Sequence, residues 1–263
     1  MSDVLSDRAV IALSGPEARN FLQGLVTNDV KKLAPGAPAY AAMLSGQGKI
    51  LFDFLLHQDG DTVLIDCAAE DRPALLKRLS FYKLRATVEI APRDDLAVVL
   101  EGPSDPRHSA LPPRSVQAVS GPAADAAYQA SRLDLGIPEG LDFGFERMFA
   151  LDAGLKELHG VVFDKGCYVG QELTARMKHR GTDRKRLLLV TTEGDLPLPA
   201  VGSAVKAGDV ELGQITASYG TRGFALIRLD RFEESKLPLT ADGVSVKLTK
   251  QDWLDGTGND TIK

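Results

Sequence analysis

Cys167 stands between Lys165 and the start of a helical stretch, in the octapeptide Lys-Gly-Cys-Tyr-Val-Gly-Gln-Glu that fills residues 165–172. A free thiol titrates near a pKa of about 8.5, and a nearby cation or helix N-terminus lowers it, so both neighbours favour the thiolate. Gly166 and Gly170 allow tight turns that would expose the sulfur. Three chemistries suit such a residue: a nucleophile, a redox thiol, or a ligand to a metal centre shared with a partner. The plain alternative is a small buried hydrophobe, the common fate of a free cysteine. One thiolate does not complete an iron–sulfur site, which takes about four.

Asp53 lies between Phe52 and Phe54, and Asp66 lies within the apolar run Val63–Cys67. A carboxylate inside an apolar strand is costly to bury unless it is paired or opens to a cleft. Strand alternation leaves Asp53 facing solvent, or facing a cleft where it would bond a polar heterocycle or act as a base. Cys67 reads as core packing. Arg176, Lys178, His179, Arg180, Arg184, Lys185 and Arg186 form a basic stretch. Such a stretch is a solvated helix end, or an anion site that steers an acidic small molecule or partner face. The four histidines, His57, His108, His159 and His179, lack ligand spacing, so no metal site is expected. Walker, GxGxxG and GxSxG patterns are missing too.

These residues need a scaffold, and 263 residues suffice for one large domain or two smaller ones. The net charge of −5 argues against general nucleic-acid binding. Two cysteines a hundred positions apart make no disulfide framework, which suits a reducing compartment. No apolar run approaches the roughly 20 residues of a membrane span, and Met1–Arg8 has no signal-peptide character. A cytoplasmic location without membrane contact is expected.

The pattern predicts a strand pair over Val4–Leu13, and a helix opened by Ser14 as cap with Pro16 in its first turn. Phe21, Leu22, Leu25 and Val26 form that helix's core face. Strands follow at Tyr40–Leu44 and Ile50–Leu56 around a Ser45–Gly48 hairpin turn, then at Val63–Cys67. A helix opens at Asp71-Arg72-Pro73, and further strands fall at Thr87–Ile90 and Leu96–Leu100. Gly102–Pro122, rich in proline, reads as a surface loop with one short strand at Ser115–Val119. Helices follow at Ala123–Leu135 and Val169–Arg180. From Arg184 short strands separated by Gly, Pro and Asp predict a small β-barrel or sandwich. The order suggests an α+β fold with domains at 1–183 and 184–253 and a disordered tail at 254–263.

The extended motif KGCYVGQELTARMKHRG (165–181) resembles the signature of the YgfZ family, within the superfamily of the glycine cleavage T-protein, an aminomethyltransferase. FLQGLVTNDV (21–30), YAAMLSGQGKILFDF (40–54), YKLRATVEI (82–90), SRLDLGIPEG (131–140), LDAGL (151–155) and GQITASYGTRGFALIRL (213–229) resemble family segments in the expected order. The resemblance implies intertwined α+β subdomains around a central channel, plus a C-terminal β-barrel. It implies tetrahydrofolate or a derivative in that channel. Asp53 matches the essential aspartate of the T-protein and is the pterin-side candidate; Asn28, Asp66, Arg132 and Tyr168 are further pocket candidates. The stretch around Arg176 would receive the glutamate tail by charge matching.

Two departures separate the chain from the T-protein: the Lys-Gly-Cys insertion before Val169-Gly170-Gln171-Glu172, and Tyr128 in place of an arginine. They favour the YgfZ side. The expected function is a folate-binding accessory factor for assembly or repair of iron–sulfur proteins, acting through Cys167 on client or assembly partners. Any cluster would be bound only transiently with a partner. The alternative is a tetrahydrofolate-dependent one-carbon (aminomethyl) transferase with Asp53 as base. A folate-sensing module with a packed Cys167 is the third class.

Overall fold

The computed structural model describes residues 2–180 and 184–255. The first strands are β1 (Val4–Leu5) and β2 (Arg8–Ser14), followed by helix α1 (Ala18–Gln23). Then come β3 (Ala39–Leu44), β4 (Ile50–Asp59), β5 (Thr62–Ala68), α2 (Arg72–Lys83), β6 (Glu89–Pro92), β7 (Ala97–Val99), β8 (Ser115–Gln117) and α3 (Asp125–Asp134). Helix α4 (Gln171–Arg180) leads to β9 (Lys185–Thr192), β10 (Ala204–Ala207), β11 (Val210–Tyr219), β12 (Arg222–Arg228), α5 (Leu229–Glu234), β13 (Leu239–Ala241) and β14 (Val244–Thr249).

The fold is α+β. A five-stranded antiparallel sheet runs β3-β4-β5-β2-β6, a three-stranded sheet runs β1-β7-β8, and a barrel closes as β10-β11-β12-β9-β14-β13. Both faces of the five-stranded sheet are buried, and alternation sorts their residues. Ile11, Met43, Phe52, Phe54, Ile65 and Cys67 face α1 and α2 in one apolar cluster. Val10, Tyr40, Ala42, Leu55 and Leu64 belong to a second cluster, continuous with α3 and the barrel. Asp53, Asp66 and Arg8 share the parity of this second face, so they point toward the junction of all the parts.

Several expectations change. Strands β1 and β2 do not pair with each other: β1 joins β7, while β2 lies between β5 and β6. Helix α1 is capped at Glu17, without a side-chain cap bond, instead of at Ser14. The Glu17 carboxylate accepts from the Thr87 N–H at 2.6 Å, and Gly15 adopts φ +104, where a Cβ would meet the Thr87 carbonyl at 2.6 Å. Close approach of the 87–88 backbone therefore fixes where this helix starts. The Gly102–Pro122 segment is not a surface loop throughout, since Asp105, Arg107, Leu111 and Arg114 are buried. The short β13 and α5 had no clear pattern in the sequence.

The barrel is fastened to the rest by buried polar contacts. Arg186 donates to the Leu151 carbonyl and pairs with Glu157 at 3.2 Å. Gln251 Nε2 donates to the Gly136 and Leu187 carbonyls at 3.0 and 3.3 Å. Trp253 and Leu254 are buried in the turn Asp252–Asp255, so the packed chain continues past Trp253; the rest of the expected tail, 256–263, lies outside the described residues.

Candidate functional site

Cys167 is exposed, and the loop that carries it is fixed on both sides. Lys165 is buried, and its Nζ donates to the carbonyls of Gln23, Val26 and Asn28 at 2.8, 2.5 and 2.7 Å. An ammonium has three donors, and here each has an acceptor. The ammonium also stands 5.0 Å from the centre of the Tyr168 ring. Burial lowers the Lys165 pKa to about 8, against the pull of Asp29, so at neutral pH it keeps its charge and all three donors. In return, Gln23 Nε2 donates to the Lys165 carbonyl at 2.9 Å. Val169 N–H reaches Gly24 O at 3.1 Å, and Gly170, at φ +82, packs where a Cβ would meet Ser45 O at 2.5 Å.

Lys165 is therefore committed to backbone carbonyls, and α4 starts at Gln171, four positions after Cys167. Lys165 thus holds the loop that carries Cys167. Cys67 differs throughout: it is buried, its thiol lies 3.6 Å from the Ala9 carbonyl, and burial pushes its pKa up to about 12.

A second constellation fills the junction behind β4. Asp66 pairs with Arg8 at 2.7 Å and Arg114 at 3.2 Å. Arg107 pairs with Asp105 and with Glu139, each at 2.7 Å. Arg132 pairs with Asp142 at 2.6 Å and stands 3.6 Å from Glu139. Tyr128 Oη donates to Glu139 at 3.0 Å, Tyr219 Oη donates to Asp142 at 2.7 Å, and Arg114 stacks 4.5 Å above the Tyr128 ring. Burial alone would raise the pKa of Glu139, but Arg107, Arg132 and Arg114 outweigh it and hold the carboxyl well below its ordinary range. The same competition, won by Arg8 and Arg114, lowers Asp66.

Asp53 borders this group and is 4% exposed. Its Oδ1 accepts from Gly140 N–H at 2.8 Å and its Oδ2 from Tyr40 Oη at 3.1 Å. Burial, then the charge of Glu139, raises its pKa. It does not face solvent, and the cavity it lines together with the exposed Leu141 and Phe145 holds about 30 Å³. Pockets for ligands of folate size run to roughly 300–1,000 Å³. Both oxygens are engaged and the space beside them is small, so these residues do not fit a pterin at Asp53. Since the charged form is the penalised one, Asp53→Asn should leave the urea midpoint at pH 7 unchanged or higher. A clear drop would show that the carboxylate charge itself is needed.

The other pocket candidates divide between the two constellations. Arg132 and Asp66 belong to the buried ion-pair group. Asn28 and Tyr168 belong to the cysteine loop: Asn28 Nδ2 donates to Tyr40 O and His159 O at 2.6 and 2.8 Å, and Tyr168 is buried. Arg176 joins neither, pairing on the surface with Glu172 at 2.9 Å. The basic stretch is not one patch, since Lys178 lies 3.9 Å from the Phe163 ring centre and Arg186 is buried under the barrel. The Arg180 side chain lies outside the described residues. Arg8, Asp105, Arg107, Arg114, Glu139 and Asp142 were not singled out in the sequence. The one local signal was Asp105-Pro106-Arg107, in which Asp105 accepts from both the backbone and the side chain of Arg107.

Comparison with known proteins places these features. Residues 184–256 match the model of the CAF17 C-terminal beta-barrel domain, and residues 3–105 match that of the GCVT N-terminal domain. The mitochondrial iron-sulfur cluster assembly factor IBA57 of Mus musculus is 32% identical, over 95% of this chain and 84% of that protein. This chain belongs to the IBA57/CAF17 (YgfZ-like) family. The Homo sapiens IBA57 is 30% identical over the same shares of each chain. The glycine cleavage system aminomethyltransferase T of Bartonella henselae superposes with a TM-score of 0.72, over 95% of this chain and 85% of that one. At 14% identity that likeness shows the fold alone. The GCVT match over residues 3–105 sets the IBA57/CAF17 family within the T-protein superfamily, and the CAF17 barrel model covers the closed barrel seen here.

Proposed function

We propose that this chain is an accessory factor for assembly or repair of iron–sulfur proteins, and that Cys167 is the residue through which it acts. The observation that carries the reading is an exposed thiol on a loop locked by the buried Lys165. Positional fixing of this kind suits a thiolate offered to a partner's cluster, because a ligand set assembles only where its donors are already in place. Cys67 is sealed in the core, so the chain brings one thiolate; the remaining ligands come from the client or assembly protein. The cluster is cargo passed between proteins. Two unlinked thiols suit a reducing compartment, here the cytoplasm.

No folate-dependent step is assigned to Asp53, which is enclosed and doubly bonded. The aminomethyltransferase reading loses its base for the same reason.

The test is complementation of cells that lack this protein, with iron–sulfur enzyme activities as readout. Cys167→Ala should abolish rescue while leaving the thermal midpoint of the purified protein unchanged, and Cys67→Ser should rescue. Full rescue by Cys167→Ala would remove the cysteine from the mechanism.

A further inference from the structure

Two large apolar side chains stand outside the fold at the C-terminal end of α2. Phe81 is 72% exposed and Leu84 is 88% exposed. They lie three positions apart and sit together at the last turn of the helix, whereas Leu75 and Leu79 of the same helix are buried. Leu84 caps α2 at φ +43 and ψ −106, a conformation that suits glycine and is rare for a branched side chain. Exposure and backbone strain both cost stability, so their coincidence points to a use outside the fold's own packing.

The surroundings are basic. Residues 72–85 include Arg72, Lys77, Arg78, Lys83 and Arg85 and no carboxylate. Arg72 pairs with Asp94, but the other four have no ion-pair partner among the described residues. Such a cluster stands out in a chain of net charge −5 and attracts an acidic surface.

Helix α1 connects this patch to the cysteine loop. The Glu17 carboxylate at its start accepts from the Thr87 N–H, and Gln23 Nε2 at its end donates to the Lys165 carbonyl. Its six residues span about 9 Å. Tyr82, Phe21 and Val169 are partly buried on one shared apolar cluster, so a half-open apolar rim leads from Leu84 to the residues beside Cys167. An interface of ordinary size covers roughly 800 Å² per partner, enough to take in both ends. The Asp53 cavity is bordered by Asp71 at the other end of α2, a helix of 12 residues and about 18 Å.

We propose that Phe81 and Leu84, ringed by Lys77, Arg78, Lys83 and Arg85, form the docking patch for an acidic protein, the partner whose cluster ligands meet Cys167. The assignment rests on the role proposed for Cys167 and adds where the partner is held. The two apolar side chains are the anchors. The four cations select an acidic face and speed its approach. A second copy of this chain would bring the same cations against them, which disfavours self-pairing.

Complementation tests the patch, again with iron–sulfur enzyme activities as readout. Leu84→Gly relieves the backbone and removes one anchor. Its thermal midpoint should hold or rise by about 2–4 °C, while rescue falls by about fivefold or more. A purely structural role for Leu84 would move the two readouts together. Lys77→Glu with Arg85→Glu should reduce rescue by a similar factor. Lys206→Glu with Lys247→Glu imposes the same change of net charge at exposed barrel positions and should rescue in full. Benzoylphenylalanine in place of Leu84 should crosslink in cells to an acidic protein, and the reversal at Lys77 and Arg85 should remove that adduct. Full rescue by Leu84→Gly and by the Lys77, Arg85 reversal, in cells where Cys167→Ala fails, overturns the patch and leaves the role of Cys167 standing. Full rescue by Cys167→Ala removes that role, and the assignment built on it. Sedimentation of the full chain with phosphatidylglycerol vesicles, abolished by Leu84→Gly, also overturns the proposal, because the patch would then meet a membrane surface.

Discussion

Replacing Glu139 with glutamine should lower the unfolding free energy at pH 7 by roughly 3–5 kcal/mol, the usual cost of removing one partner from a buried ion-pair group. Glu139 is approached by Arg107 at 2.7 Å, Arg132 at 3.6 Å and Arg114 at 3.9 Å. The glutamine keeps the shape and removes the charge, leaving three buried guanidinium groups short of an anion. Urea unfolding at pH 7 measures the loss. The pH dependence follows from the lowered pKa of Glu139. Above the ordinary glutamate value of 4.5 the group is ionised in both states, and its full stabilising contribution is present. As the pH falls below that value the unfolded chain takes up a proton that the native protein refuses, and the contribution drains away. The gap between native and variant stability should therefore narrow in acid. A constant gap from pH 7 to pH 3 would place the effect in packing. Asp142 has the opposite sign: burial lifts it to about 6 against Arg132, so its protonation favours the native state as the pH falls through that value.

Lys165→Met should cost roughly 3 kcal/mol, because three buried carbonyls lose their shared donor. Its functional effect should be larger than its thermodynamic one. The thiol of Cys167 survives in this variant, yet the loop that presents it keeps only the Gln23–Lys165 carbonyl and Val169–Gly24 bonds to the 23–28 segment. Complementation should fail as completely as with Cys167→Ala, and amide exchange across 165–170 should accelerate. Normal rescue by a folded Lys165→Met protein would show that the cysteine works without a fixed loop.

Much of this architecture was legible in the chain. Apolar alternation at Ile50–Leu56 and Val63–Cys67 marked the sheet, and the octapeptide marked the loop. The barrel announced itself through short strands and glycine-rich turns. What stayed hidden was long-range charge pairing. Asp105 and Arg114 look like solvated residues because their segment is rich in proline and polar groups. Local pattern does not reveal that Arg107 and Arg114 find Glu139 and Asp66 across the fold. The partners of Lys165 stayed hidden for a similar reason: sequence proximity points to Cys167, whereas folding delivers three carbonyls from Gln23, at the end of α1, and from Val26 and Asn28 just beyond it. Asp53 was placed on the correct strand, but nothing local indicated that Gly140 and Tyr40 would close over it.

The buried course of the 105–114 segment bears on how the protein is digested. Arg107 and Arg114 are arginines beside proline-rich chain, which by composition would be early targets for trypsin. Both are fully buried, whereas Arg176 on α4 leaves 52% of its side chain exposed. Cleavage after Arg107 or Arg114 therefore requires the ion-pair group to come apart, an opening whose free energy approaches that of the whole domain. The rate at which fragments ending at these two residues accumulate should follow global stability, making those peptides a built-in gauge of the native population in cell extracts.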